Sequence, residues 1–232
     1  SLNRRITPNT ETAFSGPVKG NAALVTAYST DGTKGRGTIN NCSDGQMPWN
    51  TYLTCEENWA GYFRRGADSG SRTAAQNRSL ARYGISEGRS GNYGWASVVP
   101  STAGDTRYAR WNATVSGASS AADFRNEPNQ FGWVVEIDPY DPSATPRKRT
   151  ALGRMNHEGC CIGRVVAGVK PAFYMGDDAQ NEYIYKFVSN TAWTAADASA
   201  SNRLAIGDKY LDSGTLYVAK FNADGKIGRA HV

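Results

Sequence analysis

The segment GTLYVAKFNADGK, residues 214–226, alternates apolar and polar side chains and then reaches Asp-Gly, a pair typical of tight turns. The same period of two occurs in EYIYKFVS (182–189) and in GWVVEIDP (132–139). The 25 glycines of the chain, with many Asn, Asp and Ser residues, separate such short segments. We therefore predict an all-β fold built from antiparallel strands, without a strong helical segment.

Two of these segments share a finer pattern. An aromatic residue, a hydrophobic residue, a basic residue and Phe precede a turn in both IYKFVSN (184–190) and YVAKFNADG (217–225). Recurring strand units joined by long polar loops favour the blades of a β-propeller.

Residues 66–127 do not fit a compact blade, because they are rich in Ser, Ala, Gly and Arg. The aromatic residues Trp95, Tyr108, Trp111 and Phe124 within this stretch need a place to be buried. We expect a structured insertion with a short helix or two rather than a linker.

Composition excludes several classes of protein. No apolar run approaches the ~20 residues that span a bilayer, so a soluble globular chain is expected. The net charge of +5 would suit a small anionic substrate, but the basic residues are scattered, and nucleic-acid binding is not expected.

Both ends of the chain are atypical. The opening SLNRRITPNTETAF has no apolar core of a signal peptide and reads as the interior of a longer protein. The closing IGRAHV (227–232) breaks the preceding pattern and is expected to be a non-native tail, which would leave 1–226 as the native domain. Setting aside His231, we keep His157 as the histidine to consider in any site.

The segment YLTCEEN (52–58) places a thiol beside two carboxylates and an amide. Cysteine and carboxylates bind metals when deprotonated, so a site that uses both gathers negative charge for a multivalent cation. Iron or zinc accepts both ligand types, whereas calcium prefers oxygen alone. The alternative is a buried Cys55 flanked by surface glutamates.

Two further segments favour the metal site. NHEGCC (156–161) adds an imidazole and a carboxylate, and MGDDAQNEYIYKF (175–187) adds two aspartates before a strand. Carboxylates gathered at strand ends repel one another, and bound cations offset that repulsion.

Three stretches carry a resemblance to a known family. GTINNCSDGQMPWNTYLTCEENWAGYF (37–63), FGWVVEIDPYDPSATPRKRTALGRMNHEG (131–159) and YMGDDAQNEYIYKFVS (174–189) resemble the PhoX alkaline phosphatases. NRRIT (3–7) and LDSGTLYVAKF (211–221) extend the similarity over nearly all of the chain outside the insertion.

The resemblance implies a six-bladed β-propeller, of which this chain would cover part, with two ferric and three calcium ions in its channel. It implies hydrolysis of small-molecule phosphomonoesters, a periplasmic or secreted location after twin-arginine export, and a monomer without membrane contact. Carried over by position, Cys55 would be a thiolate ligand of one ferric ion, and Glu56 and Glu158 would be carboxylate ligands; these three are the expected catalytic residues. The remaining matches are expected metal ligands whose cation is left open: Glu57, Asn58, Asp177 and Asp178.

The chain also departs from the family. Family members are much longer and complete their site with segments that are missing here, so we expect this chain alone to be inactive. Cys160 and Cys161 stand where small residues are more common, and they could stay free or form a vicinal disulfide. A bridge from Cys42 to one of them is a further possibility, and His157 could orient a metal ligand or be a buried neighbour.

Two other functions use similar features. A calcium-dependent propeller lactonase or esterase would have acidic loops at a channel mouth, but no need of a thiol. A non-catalytic propeller that binds glycans or proteins would explain the strands and would use the acidic residues for structural calcium.

Overall fold

A computed structural model describes residues 3–231 of the chain, without the side chains of 229–231. The strands are β1 (Glu11–Ser15), β2 (Lys34–Arg36), β3 (Asn41–Gln46), β4 (Tyr52–Glu56), β5 (Val134–Ile137), β6 (Arg147–Arg149), β7 (His157–Ile162), β8 (Ala172–Asp177), β9 (Ile184–Ser189), β10 (Gly214–Phe221) and β11 (Ile227–His231). The α-helices are α1 (Ala74–Arg82) and α2 (Arg203–Leu211). Short 3₁₀ helices cover Ala22–Leu24, Trp59–Tyr62, Ser69–Ser71, Trp95–Ser97, Ala109–Trp111, Ser120–Ala122, Glu127–Gln130, Thr150–Leu152 and Ala195–Ser199.

The chain forms two compact units. The first comprises the residues up to Lys19, Arg36–Glu57 and the residues from Gly132 onward. The second comprises Gly20–Gly35 and Asn58–Phe131. The second unit therefore begins before the predicted insertion at 66–127 and includes a separate earlier segment.

The strands form two sheets, which confirms the predicted all-β fold at the level of a mostly β fold. The expectation of purely antiparallel strands is wrong for the β1–β6 pair, which is parallel. One sheet has the order β2-β1-β6-β5-β4-β3, in which β1 is parallel to β6 and the pairs from β6 to β3 are antiparallel. The other has the order β11-β10-β9-β8-β7 and is antiparallel throughout. The three segments with a period of two form β5, β9 and β10.

The last strand includes most of the expected tail. Residues 227–231 pair with β10, with Ile227 opposite Phe221, and Val232 lies outside the described residues. Whether this segment is native stays a prediction.

A hydrophobic core joins elements of both sheets. Leu53 of β4, Cys160 of β7 and Phe187 of β9 belong to one cluster, in which Trp49 and Tyr210 stack with ring centroids 5.5 Å apart. Because aromatic and aliphatic side chains of both sheets contribute to this cluster, apolar burial stabilises the two sheets together.

Helix α2 corrects the expectation that no strong helix occurs. It buries Leu204, Ile206, Tyr210 and Leu211, and Gly207 lies against the Glu136–Arg149 ion pair of β5 and β6. Its segment RLAIGDKYL has apolar residues on several sides, so the pattern does not stand out from the loops around it.

The second unit has its own aromatic core. Trp59, Phe63 and Phe131 are fully buried and Trp111 nearly so, with Phe63 and Trp111 at a centroid distance of 5.1 Å. Helix α1 begins with a capping box between Thr73 and Gln76, which satisfies the first free N–H groups. The expectation of a short helix in this stretch is confirmed. In the residues that the structure describes, no helix is long and apolar enough to span a bilayer.

Candidate functional site

A cavity of about 560 Å³ opens where β3 meets β7 and β8 in the first unit. Its polar lining includes Cys42 and Ser43 of β3 with Glu158 and Cys161 of β7. Met175 and Tyr174 of β8 and Ile184 of β9 add an apolar wall. We call this cavity the Cys42 pocket.

The close approach of β3 and β7 depends on glycines. A Cβ on Gly159 would lie 3.2 Å from Ser43 Oγ, and a Cβ on Gly45 would overlap the carbonyl oxygen of Cys160. Larger residues at these two positions would separate the strands that carry Cys42 and Glu158.

Cys42 and Glu57 form the closest contact of two candidate ligand groups. The Cys42 thiol donates to Glu57 Oε2 at 2.5 Å. Glu57 is buried although it directly follows β4, and its backbone N–H donates to the carbonyl of Asn40 at 3.3 Å. The end of β4 therefore turns this carboxylate toward β3.

The charges around Cys42 are unusual for a half-buried thiol. The hydrogen bond to Glu57, partial burial, and the negative charges of Glu57, Glu158 and Asp178 raise its pKa to about 11. A thiol among three carboxylates thus stays protonated unless a cation offsets them.

The two aspartates after β8 have different surroundings. Asp178 is exposed, and its negative charge helps to raise the pKa of Cys42. Asp177 is buried, and its Oδ1 accepts a hydrogen bond from the N–H of Asn156 at 3.2 Å. Asn58 is exposed and is the first residue of the second unit after Glu57.

Cys55 lies in the apolar core with Leu53, Met175 and Cys160, and it is fully buried. Burial, followed by the nearby Cys161, Glu56 and Cys42, raises its pKa to about 12. This environment matches one half of the alternative, in which Cys55 is a buried small hydrophobe. The other half, that the flanking glutamates face water, is wrong, because Glu56 and Glu57 are both buried.

Glu56 is fully buried and forms an ion pair with Lys148. Its Oε1 accepts from Lys148 Nζ at 2.8 Å, and its Oε2 accepts from the N–H groups of Gly132 and Trp133. Cys55, Glu56 and Glu158 therefore have three different environments, in the core, on Lys148 and at the Cys42 pocket. Metal ligation by Cys55 and Glu56 stays a prediction that the geometry does not favour.

His157 is buried beside the pocket residue Glu158. Its Nε2 donates to the carbonyl oxygen of Gly153 at 2.9 Å, and Nδ1 has no hydrogen-bond partner among the residues that the structure describes. Burial lowers the pKa of the ring to about 4, although the bond to Gly153 acts in the opposite direction. His157 is thus neutral, consistent with the reading of a buried neighbour.

The cysteines are all free thiols. Cys160 is buried in the core, where burial raises its pKa, and Cys161 is exposed at the pocket. Neither the vicinal disulfide nor a bridge from Cys42 is present.

The pocket supplies suitable donor types without a completed ligand shell. Within residues 3–231, no three or more His, Cys, Asp or Glu side chains are gathered closely enough to hold a metal ion. The thiol of Cys42 suits iron or zinc, and the carboxylates of Glu57, Glu158 and Asp178 suit these metals and calcium.

Sequence reasoning missed Cys42 as a candidate ligand. The hairpin β3–β4 pairs Cys42 with Cys55, with a bulge between Cys42 and Gly45. The register near the turn, with Gly45 opposite Leu53, would continue to Ser43 opposite Cys55, and only the bulge brings Cys42 opposite Cys55. The sequence gives no clear signal of that bulge.

Comparisons with known proteins agree with one another. A sequence model of the family described as "Alkaline phosphatase PhoX" matches residues 1–231. A solved structure, titled "Pseudomonas fluorescens PhoX in complex with vanadate, a transition state analogue", has 36% sequence identity and a TM-score of 0.78. The match covers 99% of this chain and 36% of that chain. Among curated proteins, no similar sequence was found.

Proposed function

Because the chain belongs to the PhoX alkaline phosphatase family, we propose that it supplies part of the active site of a phosphomonoesterase. The resemblance seen in the sequence is thereby confirmed. The chain spans 36% of the length of the matched structure, so the activity of a whole protein is part of this proposal.

The observation that carries the proposal is the Cys42 pocket. Strand β3 supplies the thiol, the end of β4 supplies Glu57, β7 supplies Glu158 and the residue after β8 supplies Asp178. Of these four acidic or potentially acidic groups, Cys42 and Glu158 line the cavity, Glu57 contacts Cys42, and the charge of Asp178 helps to raise the pKa of Cys42. This gathering of negative charge is costly without cations.

The donor types suit iron together with calcium, the metals that the family resemblance implies, although these side chains are not gathered into a metal site within residues 3–231. We assign Cys42, Glu57 and Glu158 to iron, since a thiol with carboxylates offers both soft and hard donors. Asp178, an exposed carboxylate, is assigned to calcium. When bound, such cations supply positive charge that attracts a phosphoester dianion and stabilises charge on its oxygens.

The protein groups perform the remaining tasks. Glu57 accepts a hydrogen bond from Cys42 and so fixes the thiol of this pocket residue. Tyr174, Met175 and Ile184 form an apolar side of the pocket that can contact the organic part of a phosphoester. The substrate class is small-molecule phosphate esters, hydrolysed with release of inorganic phosphate.

We propose that the fold forms part of a propeller. Two neighbouring multistranded sheets pack through one core, as adjacent blades do, and the family's six-bladed propeller would place such sheets around a channel. We extend the family's twin-arginine export, periplasmic or secreted location and monomeric state to this protein.

The test is metal analysis of the complete gene product together with hydrolysis of a chromogenic phosphate monoester at alkaline pH. The proposal expects iron and calcium in the purified protein and release of inorganic phosphate. If the protein contains calcium but no iron, and it hydrolyses a carboxylic ester or a lactone, the phosphatase proposal is replaced by the lactonase or esterase alternative. Calcium without any hydrolysis would favour a binding module.

A further inference from the structure

Glu56 has an unusually complete set of partners for a buried carboxylate. Lys148 Nζ donates to Oε1 at 2.8 Å, and the N–H groups of Gly132 and Trp133 donate to Oε2 at 3.0 and 3.1 Å. Both charged side chains are 0% exposed. Three of about four acceptor positions of the carboxylate are therefore occupied by protein groups.

The pair has a specific place in the sheet. Lys148 lies on β6, and Gly132 and Trp133 directly precede β5, so Glu56 connects β4 to its neighbour β5 and to β6, the strand beyond it. The backbone N–H of Glu56 also donates to the carbonyl of Trp133 at 3.2 Å. Backbone and side chain of one residue thus fix the end of β4 against the start of β5.

The next residue leaves the sheet and enters the site. Glu57 donates its N–H to Asn40, just before β3, and its carboxylate accepts from Cys42. Since Glu56 is the last residue of β4, its position sets the starting point of Glu57. A shift of β4 would move Glu57 relative to Cys42.

We propose that Glu56 is a positioning residue that acts with Lys148 to hold Glu57 against Cys42, and that it is not a metal ligand. This inference rests on the proposed function, because it concerns the same pocket. Its physical basis is that a carboxylate already neutralised by a buried ammonium and two N–H groups would lose those partners on turning to a cation.

The first experiment measures how well Glu57 holds the Cys42 thiol, and it needs neither bound metal nor enzymatic activity. In the chelator-treated full-length Cys161→Ala protein, Cys42 is the half-buried thiol, while Cys55 and Cys160 are buried. Glu56→Gln and, separately, Lys148→Met should each make Cys42 react at least about fivefold faster with an aromatic disulfide reagent, because Glu57 no longer holds it. Peptide mapping identifies the labelled thiol, and Lys170→Met, an exposed lysine, serves as the control.

The second experiment uses a double-mutant cycle on the metal-loaded protein. Each single variant should retain the iron-to-protein ratio but lower kcat about tenfold or more, with KM changed less than about twofold. Glu56→Gln/Lys148→Met leaves no lone buried charge, so its thermal unfolding temperature should exceed that of either single variant. The kcat of the double variant should stay low, because the Glu56–Lys148 ion pair that connects β4 to β6 is still missing.

Several results would overturn the inference. Loss of bound iron in Glu56→Gln but not in Lys148→Met would make Glu56 a ligand. Unchanged thiol reactivity and kcat in folded variants would make the pair purely structural. If the wild-type protein contained no iron and released no phosphate, the proposed function would fail, while the thiol experiment would still decide the positioning role.

Discussion

At the scale of single residues, three consecutive side chains at the end of β4 have three different environments. Cys55 lies in the core, Glu56 pairs with Lys148, and Glu57 contacts Cys42. Alternation along a strand separates the first two, and the end of the strand frees the third. Candidate ligands that are adjacent in sequence therefore do not have to share one site.

Asp123 in the second unit offers a test of buried electrostatics. Burial alone would raise its pKa, but hydrogen bonds from Arg125 and from the N–H groups of Gly117 and Ser116 outweigh burial and lower it to about 2. A carboxyl group with a depressed folded pKa stabilises the fold above its unfolded pKa and loses this effect as the pH falls through the folded value.

Asp123→Asn is therefore expected to reduce the free energy of unfolding by about 2 kcal/mol at pH 7. The difference between variant and wild type should shrink below about pH 4 and largely vanish near pH 2. Denaturant unfolding across this range measures it. Asp105→Asn removes the partner of Arg107, whose side chain is exposed, and should cost under about 1 kcal/mol. A pH-independent loss of stability in Asp123→Asn would contradict the electrostatic explanation.

At the scale of elements, α2 packs on an ion pair rather than on a purely apolar surface. Arg149 Nε donates to Glu136 at 2.7 Å, and its Nη1 donates to Asp212 at 2.9 Å, just after α2. Glu136 also accepts from Trp49 Nε1 at 2.7 Å. This buried network explains why β5 is buried on both faces although it carries a glutamate.

Gly207 allows this contact, and Gly207→Ala tests it. A Cβ there would overlap the carboxylate of Glu136 and the guanidinium of Arg149. Although alanine favours a helix by about 1 kcal/mol, overpacking should leave the variant less stable by about 1–2 kcal/mol. Chemical denaturation is the measurement, and Gly70→Ala, whose Cβ would meet no atom within 4 Å, is the matched control. Equal stability of the two variants would show that α2 can move away without cost.

The elements that the sequence predicted were those with a regular apolar period. Strands β9 and β10 followed from alternation, and α1 was expected as a short helix in its polar stretch. Helix α2 was missed because its contacts include ion pairs that hydrophobic periodicity does not register. Of the expected site residues, Glu158 lines the Cys42 pocket, Glu57 contacts Cys42, and the charge of Asp178 helps to raise the pKa of that thiol. Cys55, which the family resemblance implied as the thiolate ligand, lies in the apolar core, and its role in metal binding stays a prediction.

At the scale of the whole molecule, the chain spans 36% of the matched structure and has no completed ligand shell among residues 3–231. We expect the purified 232-residue chain to release no phosphate from a chromogenic monoester, because too few groups surround the cations. The complete gene product, assayed in parallel with the same metals, is the positive control. Turnover by the short chain at a comparable rate would show that the Cys42 pocket is sufficient.

Calcium removal tests whether the complete protein binds iron and calcium through separate sets of ligands, as assigned above. Oxygen-rich calcium sites release their ion to chelators more readily than thiolate-containing iron sites. A calcium-selective chelator should abolish phosphatase activity while iron remains bound, and added calcium should restore activity. Full activity after verified loss of calcium would contradict the assigned role.

The most direct measurement of the central claim, that Cys42 is the thiol of the metal site, is the visible absorption spectrum of two iron-loaded variants of the complete protein. We predict that Cys42→Ser loses the sulfur-to-iron charge-transfer band, and that Cys55→Ser keeps it despite reduced stability from a hydroxyl in the core. Loss of the band in Cys55→Ser with retention in Cys42→Ser would contradict the account.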